Sequence, residues 1–291
     1  MSDFKFSTKV EIKGAAKLID YNSSILMMGS CFTTEIGNIL RQYRFNVNVN
    51  PFGVLYNPCS IAKSIKRLLN CKLFEPDEVI QTNPTDANAP KKFASFWHHS
   101  SFARESAEKF LKDANTHLTE NSQFIKNADT VINTLGTAWI FTNIENGEIV
   151  SNCHKRVAKE FNRTLLPVAE CTEKLEEIAN ALPDKNIIFT VSPIRHFKDG
   201  AHGNQISKAT LILAIENIIA KCPWCTYFPS FEIMMDELRD YRYYAEDMLH
   251  PSPLAVKYIF NRFKESNISP LAYKQMDNNM RLTRAENHIQ K

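Results

Sequence analysis

Two short stretches hold residue types that can do chemistry together. The first is Gly29-Ser30-Cys31-Phe32, which follows an apolar run at residues 25–28 and leads straight into a helical pattern. A buried strand, a tight turn and a helix start, in that order, lift one small nucleophilic side chain above a sheet edge. The same turn points backbone N–H groups at a helix terminus that favours negative charge. The second stretch is Asp247-Met248-Leu249-His250-Pro251. A serine hydroxyl is a weak nucleophile at neutral pH and needs an adjacent base. His250 suits that role for Ser30, and Asp247, three residues earlier on the same turn, can hold the ring's other nitrogen. Ser30, His250 and Asp247 are therefore the expected catalytic residues, and attack on an acyl carbonyl is the expected chemistry. The oxyanion so formed needs donors. The backbone amides of Ser30 and Gly53 are the first candidates, because glycine lets a backbone approach closely. Cys31 is the rival nucleophile: a thiolate at a helix N-terminus is reactive, but a free cysteine there reads more simply as a packed side chain.

The elements around these stretches alternate. Strands are expected at residues 25–28, 45–49, 130–135, 186–191 and 224–228, and apolar residues at helical spacing mark helices between them, as with Ile36, Ile39, Leu40 and Tyr43. Further helices are expected near residues 61–69, 107–118, 167–182 and 206–220, with a last one ending near 263. This predicts an α/β fold: a three-layer αβα sandwich around a mostly parallel sheet of about five strands, with helical and loop insertions. One domain over residues 1–291 is expected, with an inserted irregular and helical region at about 59–127 and a polar tail from about 266 that frays. Residues 74–102 show no period and read as a functional or mobile loop, and Asn146-Gly147 reads as a hairpin turn. The polar clusters at Ser30, at residues 50–53, at Gly136 and at Ser192 all follow expected strands, so they share one rim of the sheet, where α/β folds bind ligands.

Composition excludes some classes of function. A formal net charge of +3, from 35 basic and 32 acidic residues, is too balanced to suggest nucleic acid or an anionic membrane as a partner. No apolar run approaches the ~20 residues of a membrane span, and no apolar stretch follows the charged N-terminus as in a signal peptide. Seven scattered cysteines read as free thiols in a reducing cytoplasm. Cys222-Pro-Trp-Cys225 has redox spacing but precedes a strand, so two packing thiols are expected. No metal or cofactor is suggested by spacing.

Several stretches together resemble the GSCFA domain family, an SGNH/GDSL-hydrolase-like group: Gly29-Ser-Cys-Phe32, Asn50-Pro-Phe-Gly-Val-Leu-Tyr-Asn-Pro58, Thr134-Leu-Gly-Thr-Ala-Trp139, Asn152-Cys-His-Lys155, Val191-Ser-Pro-Ile-Arg-His196 and Asp247-Met-Leu-His-Pro251. The resemblance implies a flavodoxin-like sandwich, Ser30 as nucleophile, Gly53 in the oxyanion hole, and Asp247 with His250 as the base pair. It implies removal of acyl groups, often acetyl, from carbohydrates or small esters. One departure is visible. The wider group's third block supplies an asparagine as Gly-x-Asn-Asp, whereas here Gly136-Thr137-Ala138-Trp139 does not. Thr137, the Gly136 and Thr137 backbone, or Asn152 is left to fill that place. Arg195, His196, His154, Trp97 and His98 are candidate substrate contacts. Each also has a structural reading: a loop ion pair for Arg195 and His196, a satisfied histidine for His154, an exposed loop for Trp97 and His98. The expectation is thus a serine esterase acting on a carbohydrate or small-molecule ester. An acyltransferase on the same residues and a silent carbohydrate-binding protein of the same fold are the alternatives.

Overall fold

The computed structural model describes residues 7–15, 17–83 and 90–289. Its centre is a parallel sheet of β1 (Ser24–Gly29), β2 (Asn46–Val49), β3 (Thr130–Leu135), β4 (Asn186–Val191) and β5 (Cys225–Phe228), in the spatial order 2-1-3-4-5. All four pairings are parallel. β1 shows why the sheet is buried on both sides. Ile25 and Met27 belong to one apolar core, Leu26 and Met28 to the other, and none is more than 1% exposed. A strand with two apolar faces must be covered twice.

The cover on one face is α2 (Pro58–Asn70), α3 (Ala107–Asn127), α4 (Val168–Ala181) and α5 (Gly200–Ile219), which supply Ile61, Phe110, Leu175 and Leu211. On the other lie α1 (Cys31–Gln42) and the helix Pro253–Asn267, with Ile36, Leu40, Ile259 and Phe263. Burying side chains of this size contributes roughly 1.5–3 kcal/mol each. The result is the expected three-layer sandwich. Strand order reverses between β1 and β3, so the crevice for a ligand opens at their carboxyl ends.

The polar tail is a correction to the sequence reading. Tyr273–Ile289 is a helix docked on α1, with Met276 fully buried, the Asn279 amide donating to the Tyr43 carbonyl at 3.1 Å and Arg44 paired with Glu286 at 2.7 Å. Its contact is mostly polar, so hydrophobic periodicity does not reveal it. A second difference is an outlying antiparallel sheet of Trp139–Asn143, Ile149–Val150 and Phe161–Leu165. The Asn146-Gly147 hairpin lies within it, with Gly147 at φ +71°. The last strand was not expected, because Asn162 and Thr164 point outward and dilute its apolar signal. In the irregular stretch 74–102, short strands Ile80–Gln81 and Phe93–Ala94 pair, and residues 84–89 lie outside the described residues, as does the N-terminal hexapeptide. No helix among the described residues is long and apolar enough to cross a membrane.

The end of β1 is the tightest point of the fold. Gly29 has φ +146°, and a Cβ built there would lie 2.2 Å from the Thr134 carbonyl oxygen on β3. Its N–H donates to the Asn50 side chain at 2.9 Å and its carbonyl accepts from the Leu55 amide at 2.9 Å. Gly29→Ala should therefore force β1 and β3 apart and cost about 3 kcal/mol or more. A thermal melt within a degree of the wild type would contradict this packing.

Candidate active site

Asp247 and His250 form a pre-built pair. The turn between them places Met248 at φ +58°, and Asp247 Oδ1 accepts the backbone N–H groups of Leu249 and His250, each at 2.9 Å. The remaining carboxylate oxygen, Oδ2, accepts from His250 Nδ1 at 2.5 Å. The two backbone donors, then the ring, hold the Asp247 carboxyl down to about 2, so it stays ionised. A donated Nδ1 proton leaves Nε2 as the free, basic nitrogen. The loop is anchored from below: the Arg195 amide donates to the Leu249 carbonyl at 3.1 Å and its guanidinium to the Met248 carbonyl at 3.3 Å. The two side chains are 48% and 46% exposed, open to an incoming molecule.

The β1–α1 turn presents its two candidate nucleophiles differently. Ser30 is the N-cap of α1 but makes no capping bond with its side chain. Its hydroxyl is fully buried and donates to Ser192 Oγ at 3.0 Å. Beneath it, Lys208 Nζ donates to the Gly136 and Ser192 carbonyls at 2.7 and 2.8 Å, tying β3 to β4. Burial lowers the Lys208 ammonium to about 7. Cys31, one residue on, is half-buried. It lines a cleft of about 280 Å³ between α1 and the helix Pro253–Asn267, together with Phe32, Glu35, Ile194, His250 and Lys257. The structure brings His250 to the same cleft as Cys31; no hydrogen bond joins His250 to Ser30 among the described residues. Tyr56 Oη lies 3.6 Å from Cys31 Sγ, and burial raises the phenol far enough to keep it protonated.

The expected oxyanion donors are already engaged. The Ser30 amide donates to the Thr134 carbonyl at 3.1 Å, Gly53 to Asn50 at 2.7 Å, and Gly136 and Thr137 both to Tyr56 at 2.7 and 3.0 Å. Thr137 Oγ1 shares a hydrogen bond with Ser207 at 3.0 Å. Asn152 is held differently: its side-chain oxygen accepts from the His154 amide at 2.7 Å, a bond that does not use the Nδ2 donor. Most of these are tertiary bonds, tying the turn to β3, residues 136 and 137 to Tyr56 and Thr137 to α5, and they satisfy backbone donors that the fold buries. The amides of Cys31 and Phe32, in the first turn of α1, have no acceptor among the described residues. That turn also lacks an acidic residue, so its partial positive charge is uncompensated.

A family model described as the GSCFA family matches residues 24–263. The chain belongs to the GSCFA family. The match runs from β1 into the helix that follows His250, so both halves of the candidate site lie within the matched region. No curated protein matches the chain. Among solved structures, one from Streptococcus pneumonia described as a candidate platelet activating factor is similar over 84% of this chain and 83% of its own, at 12% identity and a TM-score of 0.41.

Within this GSCFA domain the other expected contacts divide. His98 and His154 are core residues. His98 is 1% exposed among Phe52, Phe74, Phe102 and Phe110, bonded through Nδ1 to Ser95 Oγ at 2.8 Å, and its pKa falls to about 3 through burial. His154 Nε2 donates to the Ser95 carbonyl at 2.8 Å. Trp97 faces a different cavity, of about 740 Å³, with Lys63 and Arg67 over its ring. Arg195 braces the dyad loop and stacks on Phe197 at 4.2 Å. Cys222 and Cys225 are both buried, and burial raises both thiols. Among the described residues no group of three or more His, Cys, Asp or Glu is placed to hold a metal ion.

His196 does reach the site. Its ring meets Tyr56 edge-on at 5.7 Å, and its buried Nε2 has no partner among the described residues. Burial first, then the charges of Lys208 and His250, lower it to about 4. The unfolded chain takes up this proton near ~6.5 and the folded chain does not until about 4, so protonation favours unfolding across that window. The penalty is absent above the window, grows as pH falls through it and levels off below. His196→Gln should make the loss of stability between pH 6.5 and 4 shallower, by on the order of 1–3 kcal/mol in denaturant melts. Parallel curves for the two proteins would show that His196 is not held neutral.

Proposed function

We propose that this protein is an acyl hydrolase of the SGNH-like kind, cleaving short acyl esters of a carbohydrate or small alcohol through an acyl-enzyme. The observation that carries this reading is the Asp247–His250 pair, closed at 2.5 Å, whose histidine lines the same cleft as the N-terminus of α1. The chemistry needs four things: a nucleophile, a base, a partner to orient the base, and donors for an oxyanion. His250 serves as base and then as acid, Asp247 fixes its tautomer, and the first turn of α1 supplies the nucleophile and the free amides. The cleft of about 280 Å³ suits a short acyl chain, and its lining by Glu35 and Lys257 suits a polar alcohol.

The reading is tested with p-nitrophenyl acetate. His250→Ala and Asp247→Asn should each lower kcat/KM by ~10³-fold or more while melting temperatures stay close to the wild type, since both side chains are half exposed. Wild-type rates in either variant would remove the pair from the mechanism.

A further inference from the structure

We propose that the nucleophile is the thiol of Cys31, not the hydroxyl of Ser30, so that the intermediate is a thioester. The inference rests on the acyl-hydrolase reading and names the reacting atom within it. Three independent features lead to Cys31. The first is access: Ser30 is 0% exposed and its proton is given to Ser192, whereas Cys31 is half-buried and lines the cleft that His250 also lines. The second is the donor set. The amides of Cys31 and Phe32 lack acceptors among the described residues, and the amide of the attacking residue is placed to meet the oxyanion that its own side chain creates. The third is Tyr56, whose hydroxyl lies 3.6 Å from Cys31 Sγ and remains protonated, so it can donate to sulfur as charge builds there.

The steps balance. His250 Nε2 takes the Cys31 proton, and the sulfur adds to the ester carbonyl carbon while the carbonyl oxygen, now anionic, turns to the Cys31 and Phe32 amides. The C–O bond to the alcohol breaks, and the alcohol leaves with the proton from His250. A water molecule, giving its proton to His250, then attacks the thioester carbon. The C–S bond breaks, the acid departs, and the proton returns to Cys31. Sulfur also needs less activation than oxygen at neutral pH, which suits a base pair standing half in solvent. Ser30 becomes a positioning residue: through Ser192 and Lys208 it holds the ends of β1, β3 and β4 together beneath the reacting atom.

Two measurements on the full chain test this. The chain is first acid-quenched during turnover of p-nitrophenyl acetate and peptide-mapped. The acetyl group should lie on Cys31 and be released by neutral hydroxylamine. Cys31→Ala should lose ~10³-fold or more in kcat/KM, and Ser30→Ala should keep an acetylated Cys31. An acetyl group on Ser30, or full turnover by Cys31→Ala, would overturn the assignment and leave the hydrolase reading standing. The second measurement needs no ester. Iodoacetamide should alkylate Cys31 at least about tenfold faster than Cys71 and Cys153, the other half-buried thiols, and His250→Ala should abolish the difference. If Cys31 reacts no faster than those two, the thiol is not activated and the inference fails whatever the substrate. Activated Cys31 with no ester turnover would instead remove the hydrolase reading.

Discussion

At the carboxyl end of β1, the backbone of Gly29 lies flush against that of Thr134, and the placement of each reactive group follows from that contact. With no side chain between them, β1 and β3 stay paired to the last residue. The chain then turns directly into α1, whose first amides open at the point where strand order reverses. A wider turn would move Ser30 out of reach of Ser192 and carry the helix terminus away from the loop bearing His250. Here the fold's general rule for ligand sites becomes a local, backbone-level constraint.

Two polar systems meet at this turn and have opposite characters. Below it, Ser30, Ser192 and Lys208 are fully buried, and their bonds tie three strand ends together. Breaking one would strand a polar group in a dry interior, so this layer resists change. Above it, Asp247 and His250 are half exposed and are held by local backbone bonds within a four-residue turn. On the proposed reading, chemistry belongs to the upper layer, which is open to proton exchange and to an incoming molecule. Cys31 stands at the boundary: it follows Ser30 in the turn, is half-buried and lines the cleft that His250 also lines.

Much of this was legible in the sequence, and the misses have definite causes. The five strands and their parallel order could be read because buried strands such as residues 186–191 are apolar on both faces, and Asp247 and His250 could be read as a pair from their spacing and Pro251. The choice between Ser30 and Cys31 could not. Adjacent residues at a strand–helix turn point in different directions, and only coordinates show which is turned inward. Which amides are free was not legible for a related reason: a glycine marks a close approach, not a free N–H, and the Gly53 and Gly136 amides donate to the Asn50 and Tyr56 carbonyls. Lys208 left a faint signal, one cation in the apolar stripe of α5. The tail helix left almost none, because its contacts with Tyr43, Gln42 and Arg44 are polar.

The most direct test of the site as a whole is a crystal structure of the chain after reaction with chloroacetone, a small haloketone that alkylates an activated thiol. The expected result is a single adduct on Cys31, its carbonyl oxygen within hydrogen-bond reach of the Cys31 and Phe32 amides and His250 Nε2 turned toward the same group. An adduct elsewhere, or one on Cys31 with its carbonyl directed away from those amides and His250 remote from it, would contradict the placement of the nucleophile, its base and the oxyanion donors at the α1 terminus.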